Sequence, residues 1–238
     1  MSKQRVFLLS TGCFNPPTIM HLRIMELARD YLVKLGFNVI GGAVSPVHDA
    51  YGKQDLALSK HRLQMVKLAL NSSDWVKLSS WEATNSCWTR TRLVLDHHQE
   101  QLTKYDRDIS GEWLPDSSTL ENDSGPVQLK VVCGADYLDS FNQPGLWAED
   151  DMVKLARDYG LVVISREGND PFSSIYKSDI LYANKANIHI VHEWIRNEIS
   201  STKVRRAIRR SESVRYILPD PVVEYINSEK LYLTSQPN

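Results

Sequence analysis

Two stretches of this chain carry residue types that can hold phosphate, and one of them also carries a histidine. The first is Gly12-Cys13-Phe14-Asn15-Pro16-Pro17-Thr18-Ile19-Met20-His21. Gly12 permits a tight turn, Pro16 and Pro17 forbid helix, and Thr18 is a natural helix cap. The backbone N–H groups of such a turn, together with the positive end of the following helix dipole, make an anion site. Helical side chains lean toward the N-terminus of their helix, so the His21 ring is expected over that anion. The second stretch is Ile199-Ser200-Ser201-Thr202-Lys203-Val204-Arg205-Arg206. Ser201 is the predicted cap of a helix whose buried face is Val204, Ala207 and Ile208, with Arg205, Arg206 and Arg209 off that face. Hydroxyls and cations at a helix N-terminus suit several negative charges at once. A basic helix also serves as a nuclear signal or a nucleic-acid patch. The hydroxyl-rich cap and the first anchor upstream favour a triphosphate.

Other groups belong to the same chemistry or to plain packing. Lys53 ends a loop, Ser45 to Lys53, and is either a phosphate contact or a solvated lysine. Trp88 and Thr91 stand at i and i+3, which on a helix puts an aromatic plane beside a small hydroxyl. That pair suits a flat heteroaromatic carboxamide, although a tryptophan is as readily core. Asp136 follows Gly134 after a strand, where it either accepts from a ribose or caps the next helix. Leu146 and Trp147 end a Gln-Pro-Gly turn, where Trp147 by itself reads as a hydrophobic staple for the next helix.

The elements that must position these residues alternate. Apolar runs at Val6–Leu9, Asn38–Val44, Val76–Leu78, Val127–Val132, Leu161–Ile164 and Ile188–Val191 predict strands. Between them lie helical periods: Leu22, Met25, Ala28, Leu32; Leu63, Val66, Leu70; Leu93, Val94, His97; and the segments Tyr137–Phe141 and Asp150–Tyr159. Val214–Leu218 and Pro221–Ile226 are predicted as two short packing helices. Such alternation predicts an α/β fold with a mostly parallel sheet. A length of 238 residues fits one domain, here taken as 1–238. Residues 103–126 are rich in Ser, Asp, Gly and Pro and read as an exposed, disordered insertion. The net charge of −1 gives no nucleic-acid footprint. Cys13, Cys87 and Cys133 form no Cys-x-x-Cys pair, which suits a reducing compartment without disulfides or zinc. The apolar run after Lys3 and Arg5 stops at Ser10, too soon for a signal peptide, and no stretch is long enough to span a membrane.

Gly-x-Phe-x-Pro-x-Thr-x-x-His resembles the signature of the nucleotidyltransferases that share the (His/Thr)-x-Gly-His motif. The longer run GCFNPPTIMHLRIMELARDYL resembles the eukaryotic nicotinamide-mononucleotide adenylyltransferases, which also carry Met at position 20. SPVHDAYGK, the WE…W..T pattern, CGAD and Ile-Ser-x-Thr-x-x-Arg continue the likeness over nearly the whole chain. It implies a Rossmann-like three-layer fold. It implies transfer of the adenylyl group of ATP to nicotinamide mononucleotide, and to nicotinate mononucleotide as well, giving NAD or its acid analogue and pyrophosphate.

By this resemblance His21 and Arg205 are catalytic. Gly12, Phe14, His21, Gly134, Asp136, Ser201, Thr202, Lys203 and Arg205 bind ATP. Cys13, Phe14, Lys53, Trp88, Thr91, Leu146, Trp147, Glu193 and Asn197 bind the mononucleotide. Cys13 stands where Ser is more usual, so only its backbone N–H is expected to act. Mg²⁺ rides on the ATP phosphates, with no protein cage of its own. The alternatives are a chaperone-like or nucleotide-binding protein on the same fold, or a superfamily member with another acceptor. Residence in the cytoplasm or nucleus is expected, with the mitochondrion and a homo-oligomer left open.

Overall fold

The structure, a computed structural model, describes residues 3–105, 111–115, 125–165, 170–195 and 197–233. Six apolar runs form strands among them: β1 (Arg5–Gly12), β2 (Asn38–Pro46), β3 (Val76–Leu78), β4 (Val127–Gly134), β5 (Leu161–Ser165) and β6 (Ile188–His192). Their order is β3-β2-β1-β4-β5-β6, and every neighbouring pair is parallel. The helices between them are α1 (Ile19–Lys34), α2 (Ser59–Ala69), α3 (Trp81–Thr84), α4 (Thr91–Tyr105), α5 (Ala135–Ser140), α6 (Glu149–Lys154), α7 (Pro171–Tyr176), α8 (Asp179–Ala183), α9 (Ser201–Arg209) and α10 (Asp220–Ser228).

Successive residues of a strand point to opposite faces, so a sheet covered on both sides needs apolar residues at nearly every position. On β1, Val6 and Leu8 pack with Met25, Ala28 and Leu32 of α1, while Phe7 and Leu9 pack with Leu95 and Leu102 of α4 and Leu138 of α5. A third cluster joins α2 to the last two helices through Met65, Ala69, Val204, Ile208, Val222 and Ile226. At Gly42 a Cβ would lie 2.9 Å from both Met25 Cε and Trp75 Cζ3, so glycine there lets α1 close onto β2. The strand order reverses between β1 and β4. In such sheets ligands bind outside the carboxyl ends of the strands at that reversal. Among the described residues no helix is long and apolar enough to cross a membrane.

Several expectations are corrected. Ser45 and Pro46 belong to β2, because they continue its pairing with Thr11 and Gly12. The helix predicted over Asp150–Tyr159 is α6 followed by a wider π-turn, Leu155–Tyr159. Val214–Leu218 is a turn closed by an Arg215–Leu218 bridge, not a helix. Of the segment 103–126, α4 runs on to Tyr105, and Trp113 and Leu114 are buried in the core, Trp113 edge-on to Phe7. The expectation of exposure therefore fails at 113 and 114, where two large apolar side chains cover the β1–β2 face. Residues 106–110 and 116–124 lie outside the described residues.

Candidate active site

Both phosphate anchors meet at one place, and Asn15 is why. This buried side chain donates from Nδ2 to Asp55 O (2.7 Å), and its Oδ1 accepts from Ala57 N (3.2 Å) and Tyr232 Oη (2.7 Å). Its backbone oxygen accepts from Nη1 of Arg205 at 2.8 Å, and the neighbouring Pro16 O accepts from Ser201 Oγ at 2.8 Å. The N-terminus of α9 is thus tied to the turn that leads into α1. Sequence reasoning missed Asn15. Its only signal was an amide between Phe14 and Pro16, and its partners lie 40 to 217 residues away.

The turn differs from the expected one in its hinge. Gly12 ends β1 and is paired with Pro46; Phe14 takes the left-handed conformation, at φ 46°. Thr18 caps α1 as predicted. Nδ1 of His21 accepts the Thr18 backbone N–H at 3.0 Å and lies 2.8 Å from Thr18 Oγ1. This is the return half of a capping box, with His in the place of Glu or Gln. A neutral imidazole that accepts at Nδ1 carries its proton on Nε2. The cap therefore sets His21 as an Nε2–H donor, and the Phe14 ring holds it edge-on at 5.3 Å.

Three cations from separate elements act on this turn. Burial raises the Cys13 thiol pKa, and Lys53, Arg62 and Arg205 each pull it back. Arg62 is fully buried and spent on structure. It donates to Ala57 O (2.7 Å), Val47 O (2.7 Å) and Cys13 O (3.3 Å) and pairs with Asp49 at 2.8 Å. It thereby fixes the loop that presents exposed Lys53. Arg205 is different. It was expected off the buried face, yet it is only 7 % exposed, because the Asn15 turn covers it. Among the described residues it has no carboxylate partner, and its Nε has no hydrogen-bond partner at all. A buried guanidinium with an unused donor is costly unless an anion comes to it.

The cap of α9 is Ser200, which accepts from Lys203 N at 3.3 Å, and not Ser201. Ser201 is freed for its bond to Pro16 O. Thr202 and Lys203 are exposed in the first turn, and Lys203 pairs with Glu198 at 3.0 Å. Across the strand reversal, Gly134 and not Asp136 caps α5. Asp136 is exposed, and a Cβ at 134 would stand 2.5 Å from its Oδ1, so glycine lets that carboxylate fold back over the turn.

The aromatic residues stand at the ends of α4 and α5. Trp88 precedes α4 in a loop and is 44 % exposed, so it does not share a helix face with Thr91, the first residue of α4. Trp147 stacks on Phe141 at 4.8 Å and 11°, and its Nε1 donates to Ser140 Oγ at 3.0 Å. One face of its indole is thus fixed to the protein. Leu146 is exposed beside it. Asp151 of α6 accepts from Arg92 Nε at 2.6 Å and faces Arg90 at 3.8 Å, locking the start of α4 to the segment that follows Trp147.

Glu193 and Asn197 lie in the segment between β6 and α9. Glu193 pairs with Arg23 of α1 at 3.2 Å and accepts from Ile195 N at 3.0 Å, while Asn197 accepts from Ile199 N at 3.0 Å to turn the chain toward α9. Glu82, in contrast, was not singled out by sequence. It is 4 % exposed and accepts from Ser45 Oγ at 2.8 Å. Burial pushes its pKa up to about 7, against the pull of Ser45 and Arg62. No group of three or more His, Cys, Asp or Glu side chains among the described residues could hold a metal ion.

The cytidylyltransferase-like family profile matches residues 9–207. Over 97 % of its length the chain is 44 % identical to nicotinamide/nicotinic acid mononucleotide adenylyltransferase 1 of Bos taurus, covering 89 % of that protein. It is 41 % identical to nicotinamide/nicotinic acid mononucleotide adenylyltransferase of Arabidopsis thaliana, with 97 % of this chain and 91 % of that protein covered. Among solved structures it resembles Plasmodium falciparum nicotinic acid mononucleotide adenylyltransferase complexed with APC. The TM-score is 0.65, the identity 18 %, and the match covers 96 % of this chain and 98 % of that one. At that identity the match speaks for the fold.

Proposed function

The chain belongs to the cytidylyltransferase-like nucleotidyltransferases, and within them to the nicotinamide/nicotinic acid mononucleotide adenylyltransferases; on that premise we propose how its own residues carry adenylyl transfer in NAD biosynthesis. The phosphate of nicotinamide or nicotinate mononucleotide attacks the α-phosphorus of ATP, and pyrophosphate leaves. Such a transfer needs positioning and charge neutralisation more than a covalent intermediate.

The observation that carries the reading is Arg205. It is buried with no carboxylate partner among the described residues, and it is tied to the turn that leads into α1. In this reading it holds the β and γ phosphates with Thr202 and Lys203. His21 Nε2–H donates to the α-phosphate as charge grows there. Lys53 and the Gly12–Phe14 backbone hold the attacking phosphate, and Asp136 meets the adenosine ribose. Trp88 and the open face of Trp147 sandwich the pyridine ring, with Thr91 and the Leu146 backbone at its 3-substituent. Mg²⁺, when bound to the triphosphate, offsets part of its charge. The cations and hydroxyls of Lys53, Thr202, Lys203 and Arg205 suit the phosphates that would carry it.

The purified chain incubated with ATP, Mg²⁺ and each mononucleotide should yield NAD or its acid analogue with one equivalent of pyrophosphate. Absence of both products with both acceptors overturns the proposal.

A further inference from the structure

Tyr137, in the first turn of α5, carries a buried hydroxyl that nothing satisfies. Its ring is fixed edge-on between Phe141 (5.5 Å, 77°) and Trp147 (5.4 Å, 73°). Its Oη is shut off from solvent and has no hydrogen-bond partner among the described residues. The Thr91 hydroxyl approaches it without reaching hydrogen-bond geometry, and Glu82 and Tyr51 lie close enough to act on it electrostatically. The phenol thus comes up under the place where the start of α4, the indole of Trp147 and the loop after β2 converge. An unmet buried hydroxyl is destabilising, and one kept in a folded protein calls for a partner that arrives later.

We propose that the Tyr137 hydroxyl, side by side with that of Thr91, reads the 3-substituent of the pyridine ring and lets one pocket accept both the carboxamide and the carboxylate. The inference rests on the mononucleotide reading of this pocket given above. Each hydroxyl can donate or accept. Toward a carboxamide, one accepts from the NH₂ and the other donates to the C=O. Toward a carboxylate, both donate. Burial raises the Tyr137 pKa well above the usual phenol value, so its proton is present for either task. Hydrogen bonds to a charged group are the stronger, so the nicotinate form gains more from this hydroxyl.

The test is Tyr137→Phe, read by steady-state kinetics with each mononucleotide and by thermal melting without substrate. The KM for both mononucleotides should rise, about 5-fold or more for nicotinamide and further for nicotinate, with the KM for ATP within about twofold. The melting temperature should hold or rise, because an unsatisfied group has been removed. Unchanged KM values, or a lower melting temperature with an unchanged ratio of the two substrates, overturn the inference and make the hydroxyl structural. Trp147→Ala runs beside it as a control. If it raises the mononucleotide KM while Tyr137→Phe does not, the inference alone fails. If neither variant moves that KM, the pocket does not hold the mononucleotide, and the underlying reading fails with it.

Discussion

His21 does two jobs with two nitrogens, and they can be separated. Nδ1 closes the cap of α1, and Nε2 is the donor proposed for the chemistry. Gln at this position can still return a hydrogen bond to the Thr18 N–H, whereas Ala cannot. Both substitutions should lower kcat by about 100-fold or more, the scale of losing one preorganised donor. Only His21→Ala should also cost stability, about 1 kcal/mol by chemical denaturation. Equal stability losses would mean that the cap is not what holds the ring. Buried Glu82 and His98 form a second pair worth testing. Glu82 is lifted to about 7, so between its unfolded value near 4.5 and 7 the folded state holds the extra proton and stability falls as pH rises. His98 is buried between Ser79 and Val94 O and depressed to about 4, so between 4 and 6.5 the unfolded state holds the extra proton and stability rises with pH. Each effect is on the order of 3 kcal/mol, and over pH 4.5 to 6.5 they oppose each other. Glu82→Gln should unmask the histidine, turning a nearly flat stability profile into one that climbs through that range. Neither partner was visible in the chain as written, because only the fold tells a buried Glu or His from an exposed one.

At the scale of elements, what was legible followed periodicity. Every predicted strand is present, since a doubly covered parallel sheet writes itself as unbroken apolar runs. Thr18 caps α1 as read, and at α9 the reading missed by one residue that mattered: Ser200 caps α9, while Ser201 bonds Pro16 O. Trp88 was misplaced because i, i+3 spacing means nothing where the helix begins three residues later. The clamp between α4 and α6 could not be read, because Arg92 and Asp151 are 59 residues apart and each looks like an ordinary surface charge. In the proposed site, that clamp holds the start of α4, after Trp88, to the helix that follows Trp147. Asp151→Ala should raise the mononucleotide KM several-fold while leaving the ATP KM nearly unchanged. It should cost about 1–2 kcal/mol of stability, Arg92 being partly exposed. An equal rise in both KM values would place the clamp's effect elsewhere.

At the scale of the molecule, the decisive event is the return of α9 to the opening turn. Two phosphate-type anchors were legible in the sequence as parts of one nucleotide site; the Asn15 hub that joins them was not. Arg205 measures that meeting. Replacing it with Leu removes an uncompensated buried charge, so the protein without substrate should be as stable as before or more so. The stabilisation that saturating ATP gives, about 2.7 kcal/mol at a hundredfold excess over Kd, should largely vanish. Melting curves with and without ATP check both halves, and an undiminished ATP shift in Arg205→Leu would remove this arginine from the polyphosphate site.

The Tyr232–Asn15 bond joins residues 217 apart. A ribosome making this chain at roughly 5–20 residues per second emits the opening turn about 10–40 s before the side chain that clamps it. Until translation reaches that tyrosine, the nascent polypeptide carries its histidine on a hinge that lacks its latch. Stalled or prematurely terminated products should therefore be nucleotide-poor binders, even though every strand of the sheet is already made.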